Sequence, residues 1–542
     1  MSQPVSESSP PPGDAIAHAG PMGGTASEMA MDRRYAIAVG VVVLLASLAN
    51  ATPHLIGVFF DDAIYALVAK AIATGQGFVY PQLPGTPPAI HYPPAYPLLL
   101  ALVWKVAPPF PESTMWLKLV NPIVLALAAA GAFRLAGRLL PWPRMALAAL
   151  VLLGFVSVPM QVLTSVLLSE PLFMATLFAG LLAAGALMDG AGGTRPAMLA
   201  GVATGVVILT RTVGGVLLPA LLLALAVERR WRDAFIVGAT TVLLVLPWQL
   251  FVWKHAPGFP DVLRGSYGPY LEWVVGGYRE GGASLVFAVL QKNLSGAWTF
   301  LGIFFSPLVS VLRPIAAVAV IIGTVVGIGA GLAARRHRVL ALSVAGYLVV
   351  VFFWPYQIER FLWGAWPLLV MVCGYGIWSL VELLRAQQRP RLAWATLGLG
   401  LFLAVGHATY SARGLARGWA GSASRGMSER MRPALDLMLS DPRLRGKLIA
   451  SDIAPMLALY SGEQVISLDI LRVTDHLAEK TIPERADVIT VLDAAFAPDA
   501  YVLLPDSPIL VAFLRAERDP ARHFREFTPA GAGARAFLLD RR

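Results

Sequence analysis

One pattern dominates this chain between residues 35 and 409: a long apolar run, then a short loop whose charges are mostly arginine. The runs fall at 35–52, 115–137, 145–162, 170–188, 197–210, 212–227, 234–252, 313–334, 339–355, 361–382 and 392–409. A helix needs roughly 20 mostly apolar residues to cross the hydrocarbon core, where every backbone amide must be bonded internally. The pattern predicts an α-helical polytopic membrane protein of about eleven transmembrane helices, the shorter runs borrowing flanking residues. Composition agrees. Of the 542 residues, 57% are hydrophobic and 14% charged, against about 25% charged in a soluble domain.

Loop charge sets orientation, because basic loops stay on the cytoplasmic side. With a cytoplasmic N-terminus, Arg134, Arg138 and Arg144 fall inside, as do Arg195, then Arg229, Arg230 and Arg232, then Arg335, Arg336 and Arg338, and last Arg385, Arg389 and Arg391. An odd number of spans carries residues 410–542 outside, together with Asp61 and Asp62. The expected location is the cytoplasmic (inner) membrane, with the first run kept as an uncleaved span. Residues 1–32, rich in Pro, Ser, Gly and Ala near their start, read as a disordered cytoplasmic tail. Residues 33–409 form the transmembrane domain, with a first outer loop at 53–114 and a second at 253–312 that suits a lid or amphipathic helices. The formal charge of +10 belongs to this part, since residues 410–542 hold 18 basic against 17 acidic residues. Such a distribution predicts no nucleic-acid partner. The single cysteine, Cys373, lies in an apolar run and forms no intramolecular disulfide.

Beyond residue 410 the composition changes. Short β-rich runs (KLIAS at 447, EQVISL at 463, DVITVL at 487, AYVLLP at 500) alternate with helical stretches near 428–440, 453–460 and 508–517. They predict a small soluble C-terminal α/β domain, extracytoplasmic by charge parity.

Residues 59–100 are the candidate site. Two adjacent carboxylates, Asp61 and Asp62, follow the first apolar run. A carboxylate at the bilayer centre costs about 2.5–3.5 kcal/mol on insertion scales, so the pair belongs at a membrane edge or in a polar cavity. Ile64, Leu67, Val68, Ala71 and Ile72 recur at helical spacing before Gly75 and Gly77, which predicts an amphipathic helix over 61–74 at the membrane surface. Tyr65 lies four residues after Asp61 and shares its face. Seven prolines between 81 and 97 exclude regular helix there, and a short apolar segment at 96–106 reads as interfacial or re-entrant. Helix capping by Asp61 and dipole charge from Asp62 are an alternative reason for the pair.

The run FDDAIYALVAKAIATG at 60–75, followed by HYPPAYPLL at 91–99, resembles the first outer loop of GT-C glycosyltransferases, especially the aminoarabinose transferase and protein O-mannosyltransferase branch. Asp61, Asp62 and Tyr65 fall on that family's Asp, Glu and Tyr. Looser matches follow in LKLVNP at 117–122, LLSEPLF at 167–173, ILTRTVG at 208–214 and QIERFLWGAWP at 357–367. The resemblance implies a polyprenyl-phosphate sugar donor and transfer, with inversion, to an acceptor lipid, glycan or protein. It implies Asp61 as the base that takes the acceptor proton. The leaving phosphate needs cations, and Arg211 and Arg360 suit it through bidentate hydrogen bonding. Asp62, Tyr65, His91, Tyr92 and Glu170 are candidate substrate-binding residues, with helix-terminal charge as the plainer role for Glu170. Asp62, His91 and His255 are the candidate ligands of a divalent metal, three scattered residues that make a weak signature. Tyr92, Tyr96, Trp248, Trp253, Trp363 and Trp366 suit either a sugar or lipid groove or an interfacial aromatic belt. Rival readings are a lipid-linked sugar flippase or transporter, and an oligosaccharide ligase or polymerase with a diphosphate donor.

Overall fold

The computed structural model describes residues 26–516 and 524–539. Among these, six helices are long and apolar enough to cross a membrane: Thr114–Leu139, Glu170–Asp189, Trp231–His255, Ser310–Ala333, Trp366–Ala386 and Pro390–Ala416. Arg144–Phe155 and Val158–Ser165, bent by 55°, make a seventh crossing if taken together. The bend follows from Pro159, which cannot continue the preceding helix. Every run read from the sequence contains helix, but Thr194–Thr210 and Thr212–Val227 are short, and Ala26–Ala49 carries Glu28, Asp32, Arg33 and Arg34 in its first half. The protein is a multi-pass helical membrane protein with a small C-terminal sheet. The disorder expected for residues 1–32 lies outside the described residues up to 25, while 26–32 are helical and Asp32 pairs with Arg144 at 2.5 Å.

Helix packing has visible sequence causes. Arg313–Ala333 lies along Trp366–Ala386, and a Cβ on Gly376 would sit 1.8 Å from the Gly323 carbonyl oxygen. Only small residues let two backbones approach this closely where lipid supplies no hydrophobic drive.

Ion pairs sort the two ends of the bundle. Glu228 meets Arg335 at 3.1 Å and Arg338 at 2.8 Å, Asp189 meets Arg336 at 3.3 Å, and Asp233 meets Arg230 at 2.8 Å. These groups gather at the Asp189 end of Glu170–Asp189. At its other end Glu170 meets Arg211 at 3.0 Å and Arg360 at 3.5 Å. A 20-residue helix spans about 30 Å, so the arginine-rich loops and the Asp61 region occupy opposite faces.

The segment expected to form a lid differs in kind. Residues 270–305 form one helix, Tyr270–Phe305, broken at Gly282 where φ is +63°. Its second half runs along the bundle, with Gly302 against Arg313 and Phe304 against Trp366 and Tyr410. Both halves reach the C-terminal domain: Gly277 touches Val473, Leu285 and Val289 pack with the same valine, and Asn293 Oδ1 lies 3.0 Å from His476 Nε2.

The C-terminal sheet has the order β2-β1-β3-β5-β4, with β1 Ile449–Ser451, β2 Val465–Ser467, β3 Ala500–Leu503, β4 Phe524–Glu526 and β5 Arg535–Leu539. β2, β1 and β3 are parallel, and β5 is antiparallel to both neighbours. Three of the four β-rich runs become strands. The fourth, DVITVL at 487, is helical within Ile482–Phe496. Its start carries a signal stronger than β-branching: Thr481 and Glu484 form a reciprocal capping box with Pro483 in the first turn.

This domain sits on the same face as Asp61. Tyr460 Oη accepts a hydrogen bond from Ile56 N at 3.1 Å, and Gln82 O accepts from Val465 N at 3.0 Å. Gly57 makes the junction possible. With φ at +107°, it lies so close to Met456 that any Cβ would stand 2.5 Å from the methionine Cβ. The domain also changes the expected surface helix: in Asp61–Ala73, nine residues are buried. Ala454–Ser461 packs against this helix, as does Ala95–Val106.

Candidate active site

Asp61 stands at the start of its helix without capping it. The N-cap residue is Phe60, whose side chain caps nothing. Phe60 has φ +59° and ψ −65°, and Asp61 N bonds Phe59 O at 2.6 Å, a γ-turn of the left-handed, strained kind. Such conformations cost about 1–3 kcal/mol and persist only where surroundings over-determine them. Asp62 supplies that restraint, since one carboxylate oxygen accepts from Gly57 N at 2.7 Å and the other from Phe59 N at 3.0 Å. Burial pushes the Asp62 carboxyl up to about 6, against those two hydrogen bonds. Lys118 holds the same loop by donating to His54 O at 2.7 Å and Thr52 O at 3.1 Å.

The strained turn delivers Asp61 into a cluster of four charges. Arg360 donates a hydrogen bond to Asp61 Oδ2, and Tyr92 Oη donates to Oδ1 at 2.6 Å. The Asp61 side chain is 20% exposed and that of Arg360 32%, so the pair opens to water. Burial alone would raise the Asp61 carboxyl; the Arg360 charge and the Tyr92 hydrogen bond outweigh it and hold the group below the ordinary value. Glu170 lies beneath, 1% exposed, between Arg211 and Arg360. It makes ion pairs but no aligned hydrogen bond. Arg211 Nη1 also donates to Ser169 Oγ at 2.9 Å.

The other sequence candidates divide. Tyr65 bonds Ser169 Oγ at 2.9 Å rather than Asp61, and its ring packs on Tyr92 at 4.6 Å. His91 Nδ1–H donates to Gly268 O at 2.5 Å and its ring lies on Tyr270 at 3.7 Å. Burial lowers the His91 imidazole to about 4, so it is neutral near pH 7. His255 Nδ1–H donates to Phe251 O at 2.8 Å, one turn earlier in its own helix. Asp62, His91 and His255 therefore do not assemble a metal site. The Asp62 oxygens are held by backbone amides, and among the described residues no three metal-binding side chains come together. Of the expected groove aromatics, Trp366 is 1% exposed in the bundle and Trp253 is 62% exposed on its surface.

Sequence reasoning missed the groups that place these side chains. Asn121 Oδ1 accepts from Tyr96 Oη at 2.9 Å, while its Nδ2 donates to Leu163 O, Val166 O and Leu168 O. It thereby fixes the chain entering Ser169 and Glu170. The LKLVNP motif holds both Lys118 and Asn121 and was the available signal.

The fold as a whole is similar to that of solved membrane glycosyltransferases of the GT-C type. The ArnT aminoarabinose transferase of Cupriavidus metallidurans bound to undecaprenyl phosphate superposes with a TM-score of 0.51 at 15% identity, covering 95% of this chain and 98% of that one. The archaeal oligosaccharyltransferase AglB of Archaeoglobus fulgidus, in complex with an inhibitory peptide and a dolichol-phosphate, gives 0.53 at 12% identity over 94% of this chain and 74% of that one. A further structure of the Archaeoglobus fulgidus enzyme, with zinc and sulfate, gives 0.51 at 13% identity, over 92% of this chain and 73% of that one. No protein-family description matches the sequence, and no curated protein does.

Proposed function

We propose that this chain is an inverting glycosyltransferase that moves a sugar from a polyprenyl-phosphate donor to an acceptor on the outer face of the cytoplasmic membrane. The observation that carries this reading is Asp61: a water-accessible carboxylate, held deprotonated by Arg360 and Tyr92 and presented by a turn whose strain Asp62 offsets. Arginine-rich loops on the opposite face support a cytoplasmic assignment for that face. The lipid phosphates in the solved ArnT and AglB structures support the donor class.

Arg360 and Arg211 supply two guanidinium groups beside Asp61, both partly exposed. A donor phosphate entering there competes with Asp61 for Arg360. As the guanidinium turns to the phosphate, Asp61 is released to accept the proton of the acceptor hydroxyl or amine. The acceptor atom bonds to the anomeric carbon from the face opposite the phosphate. The anomeric carbon–oxygen bond breaks, and its electron pair leaves on the phosphate, which the arginines hold. Glu170 keeps the two guanidinium groups apart and oriented before the phosphate arrives.

Transfer from undecaprenyl-phosphate-linked sugar by Asp61→Asn, purified and folded, tests the assignment. Loss of transfer with retained lipid-phosphate binding is expected, and undiminished transfer removes Asp61 as the base. A parallel assay with a diphosphate-linked donor separates this reading from a ligase or polymerase, and sugar-lipid translocation without transfer would favour a flippase.

A further inference from the structure

Two elements distant in sequence bring aromatic rings into a strip that leads from Asp61. Tyr270 and Trp273 open the Tyr270–Phe305 helix, and Trp354 and Tyr356 follow Arg338–Phe352. Trp354 and Tyr356 lie 6.4 Å apart with planes 26° from parallel, and Trp273 lies 5.7 Å from Tyr356 at 34°. Rings so aligned at such spacing tile one surface; in the bundle core Tyr65 and Tyr96 instead cross at 89°. All four rings are partly exposed. The strip begins at the reacting group, since Tyr92, which bonds Asp61, touches Tyr270 at 6.1 Å and Tyr270 touches Trp354 at 5.5 Å. Trp354 Nε1 is buried with no hydrogen-bond partner among the described residues.

The C-terminal domain faces this strip. Asp469 stands two residues beyond β2, at the strand end where parallel sheets bind ligands. Its carbonyl oxygen accepts from Ser266 Oγ at 2.8 Å, and Leu471 O accepts from Trp273 Nε1 at 3.1 Å. Asp469 itself is exposed beside these contacts.

We propose that the cleft between Trp354, Tyr356 and Asp469 is the acceptor subsite and that its occupant is a carbohydrate ring. A sugar offers C–H bonds on one face, which the negative face of an aromatic ring attracts, and hydroxyl donors at its rim, which a carboxylate accepts. Lipid chains fit less well, because the strip ends at the Asp61 carboxylate and lies beside the exposed Asp469. The inference rests on Asp61 as the acceptor base and gives the C-terminal domain a share of the site.

Saturation-transfer NMR of methyl glycosides of glucose, galactose and N-acetylglucosamine, with the full chain in nanodiscs, tests it. Undecaprenyl phosphate is added separately, and its effect on Tm reports the donor site. Binding of at least one glycoside, weakened about tenfold by Tyr356→Ala or Trp354→Ala and reduced by Asp469→Asn, is expected, with the undecaprenyl-phosphate shift retained in each variant. If wild type responds to undecaprenyl phosphate but binds none of the glycosides, the subsite is overturned and the transferase reading stands. Glycoside binding unchanged in both ring variants overturns it equally. Ring-dependent glycoside binding without any undecaprenyl-phosphate effect supports the subsite and overturns the donor assignment.

Discussion

Replacing Arg360 by glutamine should change the protonation of Asp61 more than it changes the fold. Two unit charges about 4 Å apart at an effective dielectric near 20 attract by about 4 kcal/mol. Water reaches both partners, at 20% and 32% side-chain exposure. Screening leaves about 2 kcal/mol. Burial is the largest influence on Asp61, and without Arg360 the Tyr92 hydrogen bond is the main influence left to oppose it. In wild type the carboxyl sits below the ordinary value, so transfer fails only as pH falls through that low pKa. In Arg360→Gln the acid limb of kcat/KM should move to higher pH. The assay is transfer from a polyprenyl-phosphate donor to membrane acceptors between about pH 4 and 8. Weaker phosphate binding lowers the rate at every pH, so the position of the limb carries the result. Arg360→Lys should return part of the shift. An acid limb unmoved in Arg360→Gln would refute the coupling of these two side chains.

The remaining expectations concern the groups that support the site. Asp62, raised to about 6 from 3.8, binds more protons folded than unfolded between those values, so wild-type stability should fall as pH rises from about 4 to about 6. Asp62→Asn should remove that slope in thermal unfolding yet lose activity, because an amide accepts only one of the Gly57 and Phe59 amides; a slope that survives contradicts the assignment. Glu170→Gln leaves two arginines without their buried anion, so Tm should fall by itself and rise further than wild type on adding undecaprenyl phosphate. An equal or smaller rise would count against phosphate binding there. Gly57→Ala places a Cβ 2.5 Å from Met456 in a left-handed backbone and should expose the C-terminal domain to limited proteolysis; resistance equal to wild type would sink that junction.

Much of the framework is legible in the apolar runs, because a span satisfies its own backbone and needs no distant partner. Asp61, Arg211 and Arg360 are also legible, since charges beside apolar runs must serve a cavity or an interface, and the structure brings all three together with Glu170. Pairings within the site are not legible. Helical spacing favours Tyr65 as the partner of Asp61, but the hydroxyl that reaches it belongs to Tyr92, 31 residues on, carried back by the proline-rich loop. Asp62 looks like a free ligand in sequence and spends its oxygens on a turn that no spacing rule reveals. Residues 487–492 look like a strand because β-branched residues dominate the run, while the capping box at Thr481 starts a helix before it. Part of the cover over Asp61–Ala73 comes from Ala454–Ser461, nearly 400 residues later in the chain.

The central claim is that Asp61 removes the acceptor proton during transfer from a lipid-linked sugar. Mass spectrometry of lipid-linked sugars tests it most directly, in cells that lack the gene and carry either the wild-type chain or Asp61→Asn at equal membrane abundance. The expected result is that wild type clears a polyprenyl-phosphate sugar that accumulates in the deletion strain, and that Asp61→Asn leaves it accumulated to the deletion level. Clearance by Asp61→Asn equal to wild type would contradict the claim, and a lipid profile that deletion does not alter would contradict the donor class with it.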